Sequence, residues 1–265
     1  MQQPTPFSRE AGSGPGVVCL HANASTSSQW VALMERLAPR FHVLAADSYG
    51  AGRSPAWPQD RLIHLSDEAA LLEPVFARAG DPLVLIGHSY GAAVALIAAV
   101  SRPQRVRALA LYEPTLFALL DAESPPPNDA DRIREVVAAA TAALDAGDRA
   151  GAARRFIDYW MGEGAWDRMP EQRRGPIAAS VANLRGWANA LLGEPMPLKA
   201  FAGLSIPVLF MVGGKSPASS RGVARLLTGA LKRVEVVEFP ALGHMGPVTH
   251  PDVVNDVICR FLGSG

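Results

Sequence analysis

The stretch that decides the fold is Leu83-Val84-Leu85-Ile86-Gly87-His88-Ser89-Tyr90-Gly91. The apolar run 83–86 predicts a strand buried on both faces of a sheet. The segment that follows, 90–101, is rich in Ala, Leu and Ile and predicts a helix. Between them Gly87-His88-Ser89-Tyr90-Gly91 matches G-x-S-x-G. Set between a strand and a helix, that pattern makes a sharp turn and pushes its serine into the open above the sheet. Glycine is expected at 87 and 91 because side chains there would collide with neighbouring elements. The Ser89 hydroxyl also lies near a helix N-terminus, whose partial positive charge favours developing negative charge.

Working outward, further short apolar runs occupy 17–20, 41–46, 106–112, 208–212 and 234–239. Helical patterns lie between them at 28–37, 67–79, 221–231 and 251–261. This alternation predicts an α/β fold, a mostly parallel central sheet flanked by helices. Right-handed crossovers put the C-terminal ends of the strands along one edge, where sites of such sheets gather. One region breaks the alternation. Residues 114–200 hold no convincing strand: a loop, Pro125-Pro126-Pro127-Asn128, leads into helical patterns at 130–146, 150–161 and 170–192. An inserted helical cap over the active edge is expected. The core is then 1–113 with 201–265, and the cap is 114–200.

Composition narrows the function classes. The chain has 265 residues, 25 basic and 25 acidic side chains and a formal net charge of zero. No global positive field exists to draw nucleic acid or an anionic membrane. With 49% hydrophobic and 19% charged residues, the chain is not a disordered one. Cys19 and Cys259 are its two cysteines, too few for a disulfide scaffold and without zinc-ligand spacing. The opening MQQPTPFSREAGSGPG has no apolar leader, and the longest apolar stretch, 92–100, is too short to cross a bilayer. The expectation is a soluble cytoplasmic protein acting on a small molecule, without nucleic acid or membrane partners, as a monomer or homodimer. No metal and no organic cofactor is expected.

A serine hydroxyl needs a base to take its proton, and histidine is the usual one near neutral pH. The six histidines are not equivalent. His88 leaves the turn on the side opposite Ser89 and reads as packing. His42 lies in a strand run, His64 in a polar loop, and His21 at the end of the first strong strand. His250 precedes Pro251 and starts the last helix. His244 instead sits in Ala241-Leu242-Gly243-His244-Met245-Gly246-Pro247, a loop after run 234–239, at the active edge. It is the expected base.

The histidine needs a carboxylate to set its tautomer. The helix 90–101 climbs away from the serine by about 18 Å. The strand 106–112 returns by about 23 Å. Glu113 therefore lands back at the edge holding Ser89, and Pro114 keeps it extended. Asp47 is the rival carboxylate, on another strand's turn. Two backbone donors complete the set. The Tyr90 N–H follows the nucleophile, and the Asn23 N–H lies in the loop after the first strong strand, His21-Ala22-Asn23-Ala24-Ser25.

Together, Leu20-His21 with its small-residue loop, Asp47-Ser48-Tyr49-Gly50-Ala51-Gly52-Arg53-Ser54, the Ser89 turn and Gly243-His244 resemble the α/β-hydrolase fold family from about residue 10 to the end. The resemblance implies that the 47–54 turn shapes a loop and takes no part in catalysis. Glu113 is similar in placement to the acid of haloalkane dehalogenases, whose His-Gly-Asn loop His21-Ala22-Asn23 also resembles. Those enzymes use an aspartate nucleophile, so Ser89 argues against dehalogenation. Many members carry an aspartate after the strand preceding the histidine strand; here that loop reads Gly213-Gly214-Lys215-Ser216-Pro217. The short N-terminus implies that the first strand or two of the family's sheet is missing.

These readings converge on a serine hydrolase that cleaves an ester or related acyl bond of a small, mainly apolar substrate. Ser89 attacks, His244 shuttles the proton, Glu113 orients His244, and the N–H groups of Asn23 and Tyr90 hold the oxyanion. The aromatic content of the cap suggests an apolar substrate, though such rings more often pack helices. Carbon–carbon bond hydrolysis, thioester hydrolysis, a cofactor-free peroxidase-like reaction and a non-catalytic ligand-binding role stay open. The missing aspartate favours the last of these.

Overall fold

The computed structural model describes residues 5–263. Residues 1–4, which open the stretch read as leaderless, and residues 264–265 at the end of the core segment lie outside it. Seven strands form one sheet: β1 (Ser8–Ala11), β2 (Gly16–Leu20), β3 (His42–Ala46), β4 (Leu83–His88), β5 (Val106–Tyr112), β6 (Val208–Gly213) and β7 (Val234–Phe239). Their spatial order is β1-β3-β2-β4-β5-β6-β7. Only the β1–β3 pair is antiparallel. Each of the six apolar runs became one of β2–β7.

β1 is a leading strand ahead of the six runs, antiparallel to its neighbour. Ser8-Arg9-Glu10-Ala11 is short, polar and half-exposed, so no hydrophobic pattern announces it. It is an edge strand held by pairing Ser8 to Ala46 and Ala11 to Val43, and its Glu10 accepts a bond from His42.

Before the insertion the helices are α1 (Val31–Leu37), α2 (Leu65–Leu71), α3 (Glu73–Ala79) and α4 (Tyr90–Ser101). The pattern at 67–79 is two helices. Pro74 in the first turn of α3 has no N–H to give the preceding turn, so the chain breaks at Leu72. Between β5 and β6 the chain forms α5 (Ala118–Glu123), α6 (Asp131–Asp145), α7 (Arg149–Met161), α8 (Ala165–Arg168), α9 (Glu171–Val181), α10 (Leu184–Leu192) and α11 (Leu198–Phe201). The pattern at 170–192 is likewise split, at Ala182 and Asn183, and asparagine favours helix ends. After β6 come α12 (Ala218–Ala230), α13 (Gly246–Thr249) and α14 (Pro251–Gly263).

Alternating residues of the central strands feed two cores. Val17 and Cys19 of β2 pack with Val84 and Ile86 of β4 on the face covered by α1 and α14. Val18 and Leu20 pack with Leu83 and Leu85 on the face of α2, α3, α4 and α12. Both faces are dry, which is why these strands read as continuous apolar runs. In the insertion, the buried residues of α6 are Ile133, Val136, Ala140 and Ala143, one stripe at helical spacing. Burying a side chain of valine or isoleucine size contributes roughly 1.5–3 kcal/mol. Among the described residues no helix is long and apolar enough to cross a membrane.

Candidate active site

β4 delivers Ser89 into a turn with φ 56° and ψ −116° before α4 begins at Tyr90. A side chain on Gly87 would come within 2.5 Å of the Ala92 backbone, and one on Gly91 within 2.4 Å of the Leu20 carbonyl. No real carbon contact is that short, so the turn admits only glycine at both places. The close approach at Gly91 also presses the end of β2, and hence the Ala22–Ser25 loop, against the turn. The Ser89 N–H donates to the Tyr112 carbonyl of β5 at 2.9 Å, which fixes the turn to the next strand.

His244, from the loop after β7, lies over this turn. Its Nε2 is 2.9 Å from Ser89 Oγ, and its Nδ1 is 2.6 Å from Glu113 Oε2. A carboxylate accepts, so Nδ1–H donates to Glu113 and Nε2 is left with a lone pair aimed at the serine hydroxyl. All three groups are buried, at 6%, 1% and 0% exposure for Ser89, His244 and Glu113. The structure thus brings together the three side chains singled out from sequence.

Glu113, the residue after β5, lies in the left-handed region with φ 46°, which corrects the extended backbone expected before Pro114. Its N–H donates to Met211 of β6, and its Oε1 receives the Gly213 N–H at 2.6 Å and the Ser216 hydroxyl at 2.5 Å. Ser216 occupies the loop where an aspartate was missed from sequence. Here it donates to the carboxylate that arrives from the neighbouring strand. Ser220 of α12 also lies 3.4 Å from His244 Nδ1.

Three contacts were not foreseen. His88 is fully buried, and its Nε2–H donates to the His244 carbonyl at 2.9 Å while Nδ1 accepts from Gln29. Burial first, and the neighbouring His244 second, push His88 well below the usual histidine pKa, so it acts as a neutral strut. Trp160 of α7 lies against the His244 ring, with centroids 4.0 Å apart and planes 30° apart. Glu68 of α2, also fully buried, accepts from the Tyr49 N–H and the Tyr90 hydroxyl. Burial raises its carboxyl to about 7, against the pull of those two donors. All three contacts join residues far apart in the chain, and no local motif encodes such pairs.

Asp47 is elsewhere. Its carboxylate accepts the N–H groups of Ser27 and Arg53, and its carbonyl accepts from Ser54. His21 bridges the same loops: it donates to the Ala22 carbonyl and accepts the Ser48 N–H. His42 pairs with Glu10, His64 caps α2, and His250 touches Thr249. Asn23 lines the same cavity as Ser89 and His244. Tyr90 is the first residue of α4, where N–H groups lack an acceptor inside the helix.

That cavity measures about 400 Å³. Its floor is the strand ends, and its walls include Phe156, Trp160, Leu184, Trp187 and Leu191 of the inserted helices. Among the described residues no cluster of His, Cys, Asp and Glu is arranged to hold a metal.

Residues 15–251 match the family model of the alpha/beta hydrolase fold. The chain is 37% identical to lipase LipV of Mycobacterium tuberculosis, over 96% of each chain. It is 27% identical to 2-(acetamidomethylene)succinate hydrolase of Mesorhizobium japonicum, over 96% of this chain and 90% of that one. A solved alpha/beta hydrolase of Sphaerobacter thermophilus superposes with a TM-score of 0.71 at 29% identity, over 97% of this chain and 96% of the other. The chain belongs to the alpha/beta hydrolase fold family, and it is a hydrolase.

Proposed function

We propose that this hydrolase cleaves an ester or related acyl bond of a small, mainly apolar substrate through Ser89, His244 and Glu113. The observation that carries the reading is the unbroken relay from hydroxyl to imidazole to carboxylate, 2.9 Å and 2.6 Å at its two links. Ser89 Oγ attacks the carbonyl carbon while His244 Nε2 takes its proton. Glu113 stabilises the imidazolium, and the N–H groups of Asn23 and Tyr90 receive the oxyanion. One such donor is worth about 2.7–4 kcal/mol of transition-state stabilisation. His244 protonates the leaving group, then activates water against the acyl-enzyme. Residues 114–200 act as the cap that encloses the substrate. The steps call for no metal or organic cofactor.

Two further points support the reading. LipV is named a lipase, an ester-cleaving activity. The missing aspartate, which favoured a non-catalytic role, is offset by Glu113, because Ser216 in that loop hydrogen-bonds the carboxylate. Cys19 and Cys259 are both free thiols, which suits a reducing cytoplasm.

A fluorophosphonate probe tests the proposal, with labelling read by intact mass. The wild type takes one label, and Ser89→Ala and His244→Ala take none. Equal labelling of all three proteins contradicts it.

A further inference from the structure

The apolar cavity does not end blindly. A shallower groove of about 520 Å³ begins beside it, and Ala24, Ser25, Arg173 and Ile177 line both. The two spaces differ in chemistry. The inner one is walled by the rings and branched chains of α7 and α10. The outer one is walled by Ser25, Thr26 and Ser28 of the loop after β2, by the Gly50–Gly52 turn, and by Gln172 and Ser180 of α9.

Arg173 stands at the junction. Among the described residues it is the one arginine, lysine or carboxylate side chain lining the inner cavity, and the outer groove has no carboxylate to answer it. Its exposed guanidinium makes no ion pair or side-chain hydrogen bond among the described residues. Its neighbour Arg174 is bound to the carbonyls of Met169 and Asp167, and Arg154, Arg134 and Arg185 of the insertion each meet an aspartate. A free guanidinium presents a planar fork of donors that matches a carboxylate two bonds at a time.

We infer that the substrates are amphiphilic esters, with an apolar limb in the inner cavity and a carboxylate on the other limb held by Arg173 at the mouth of the groove. This rests on Ser89 as the nucleophile, since the scissile bond must lie between the two spaces. The cavity selects the apolar limb by excluding water. The arginine selects the charged limb and steers it, because no acidic group along either wall opposes the approach of an anion.

Two matched pairs of esters test this. One is 4-(butanoyloxy)benzoate against its methyl ester, with the charge on the alcohol side. The other is 4-nitrophenyl hydrogen glutarate against 4-nitrophenyl methyl glutarate, with the charge on the acyl side. The readout is the ratio of kcat/KM, anionic over neutral, within each protein. Arg173→Gln lowers that ratio in at least one pair by about fivefold, the upper end for an exposed ion pair. Arg173→Glu lowers it further, and high salt lowers the wild-type ratio towards that of the Gln variant, whose own ratio salt leaves nearly unchanged. Ratios that are the same in all three proteins for both pairs overturn the inference. The reading of Ser89 is judged separately: turnover of the neutral esters that depends on Ser89 sustains it whatever the ratios, and its loss defeats both.

Discussion

On the sheet side of the cavity, Ser89, His244 and Glu113 are linked by two hydrogen bonds and braced by Gly213, Ser216 and His88. On the helical side, Phe156, Trp160 and Trp187 meet through ring faces and edges, with centroids about 6 Å apart. The floor is held by directional polar contacts between strand ends that β-pairing has already fixed. Over the cavity the roof is held mainly by apolar contacts; Tyr159 to Ser219 fastens α7 to α12, and exposed ion pairs, Arg134–Asp121, Arg154–Asp167 and Arg185–Asp145, join its helices on the outer side. Directional bonds lose most of their worth when a partner shifts or disappears, whereas apolar contacts give way in proportion to the area lost. Damage to the floor should therefore strike turnover, and damage to the roof should strike selectivity and stability.

The largest effect is expected on the floor. Glu113→Gln keeps the size of the side chain but removes the charge that holds Nδ1–H. We expect kcat on an activated ester to fall by about 10⁴-fold, as when an acid of this type becomes an amide. Asp47→Asn is the contrast: it loosens two loops, lowers Tm and leaves kcat within about tenfold. The reverse outcome would assign the acid to Asp47. Next comes Ser216→Ala, which strips one of two donors from Glu113 Oε1. Steady-state assays should show a loss of about tenfold, the low end for a hydrogen bond to a charged group. Ser216→Asp should be worse than Ser216→Ala, because a second carboxylate would crowd Glu113. If Ser216→Asp is the more active of the two, the brace has been misread.

Trp160 belongs to both regions. Its indole covers the imidazole that the proposed reaction would make positive, and an aromatic face favours a cation. The titratable groups against His244 are Glu113, bonded to Nδ1, and His88, bonded to the His244 carbonyl. Trp160→Leu keeps the cover and loses the π face. The expected cost in kcat is roughly 2- to 30-fold, with Trp160→Phe in between. An unchanged kcat in Trp160→Leu would make the residue a roof element only. Leu191→Ala lies wholly in the roof. It should cost about 2 kcal/mol or somewhat more in urea melts and lengthen the preferred acyl chain, with kcat on short esters nearly unaltered.

The smallest effect concerns pH. Burial lifts the Glu68 carboxyl to about 7, so the folded state holds a proton that the unfolded chain releases. That group favours the fold at pH below the ordinary carboxylate range, and the advantage is lost as pH rises through about 7. The fall in Tm between pH 5 and pH 8 should be smaller in Glu68→Gln than in the wild type. Equal falls would mean that Glu68 does not titrate in this range.

Sequence patterns revealed most of the floor and little of the roof. Strands buried on both faces are uninterrupted apolar runs, and the sharp turn at Ser89 needs glycines that a short motif displays. Glu113 was reachable because helix and strand lengths can be added and subtracted. Ser216 was legible only as an absent aspartate, since its use depends on a carboxylate entering from another strand. His88 reads as packing, and its bond to the His244 carbonyl spans a gap no local pattern covers. In the roof, aromatic residues at helical spacing announce a buried face but not what it covers. The stacking of Trp160 on His244 depends on how α7 sits across the sheet edge.

The central claim is that Ser89 carries the acyl group during turnover. A reaction with a 4-nitrophenyl ester, quenched in acid during the first turnover, can be digested and weighed peptide by peptide. The account predicts the acyl mass on the peptide that contains Ser89, preceded by a burst of nitrophenol approaching one equivalent per chain. An acyl group found on another residue, or wild-type turnover by Ser89→Ala, would contradict it.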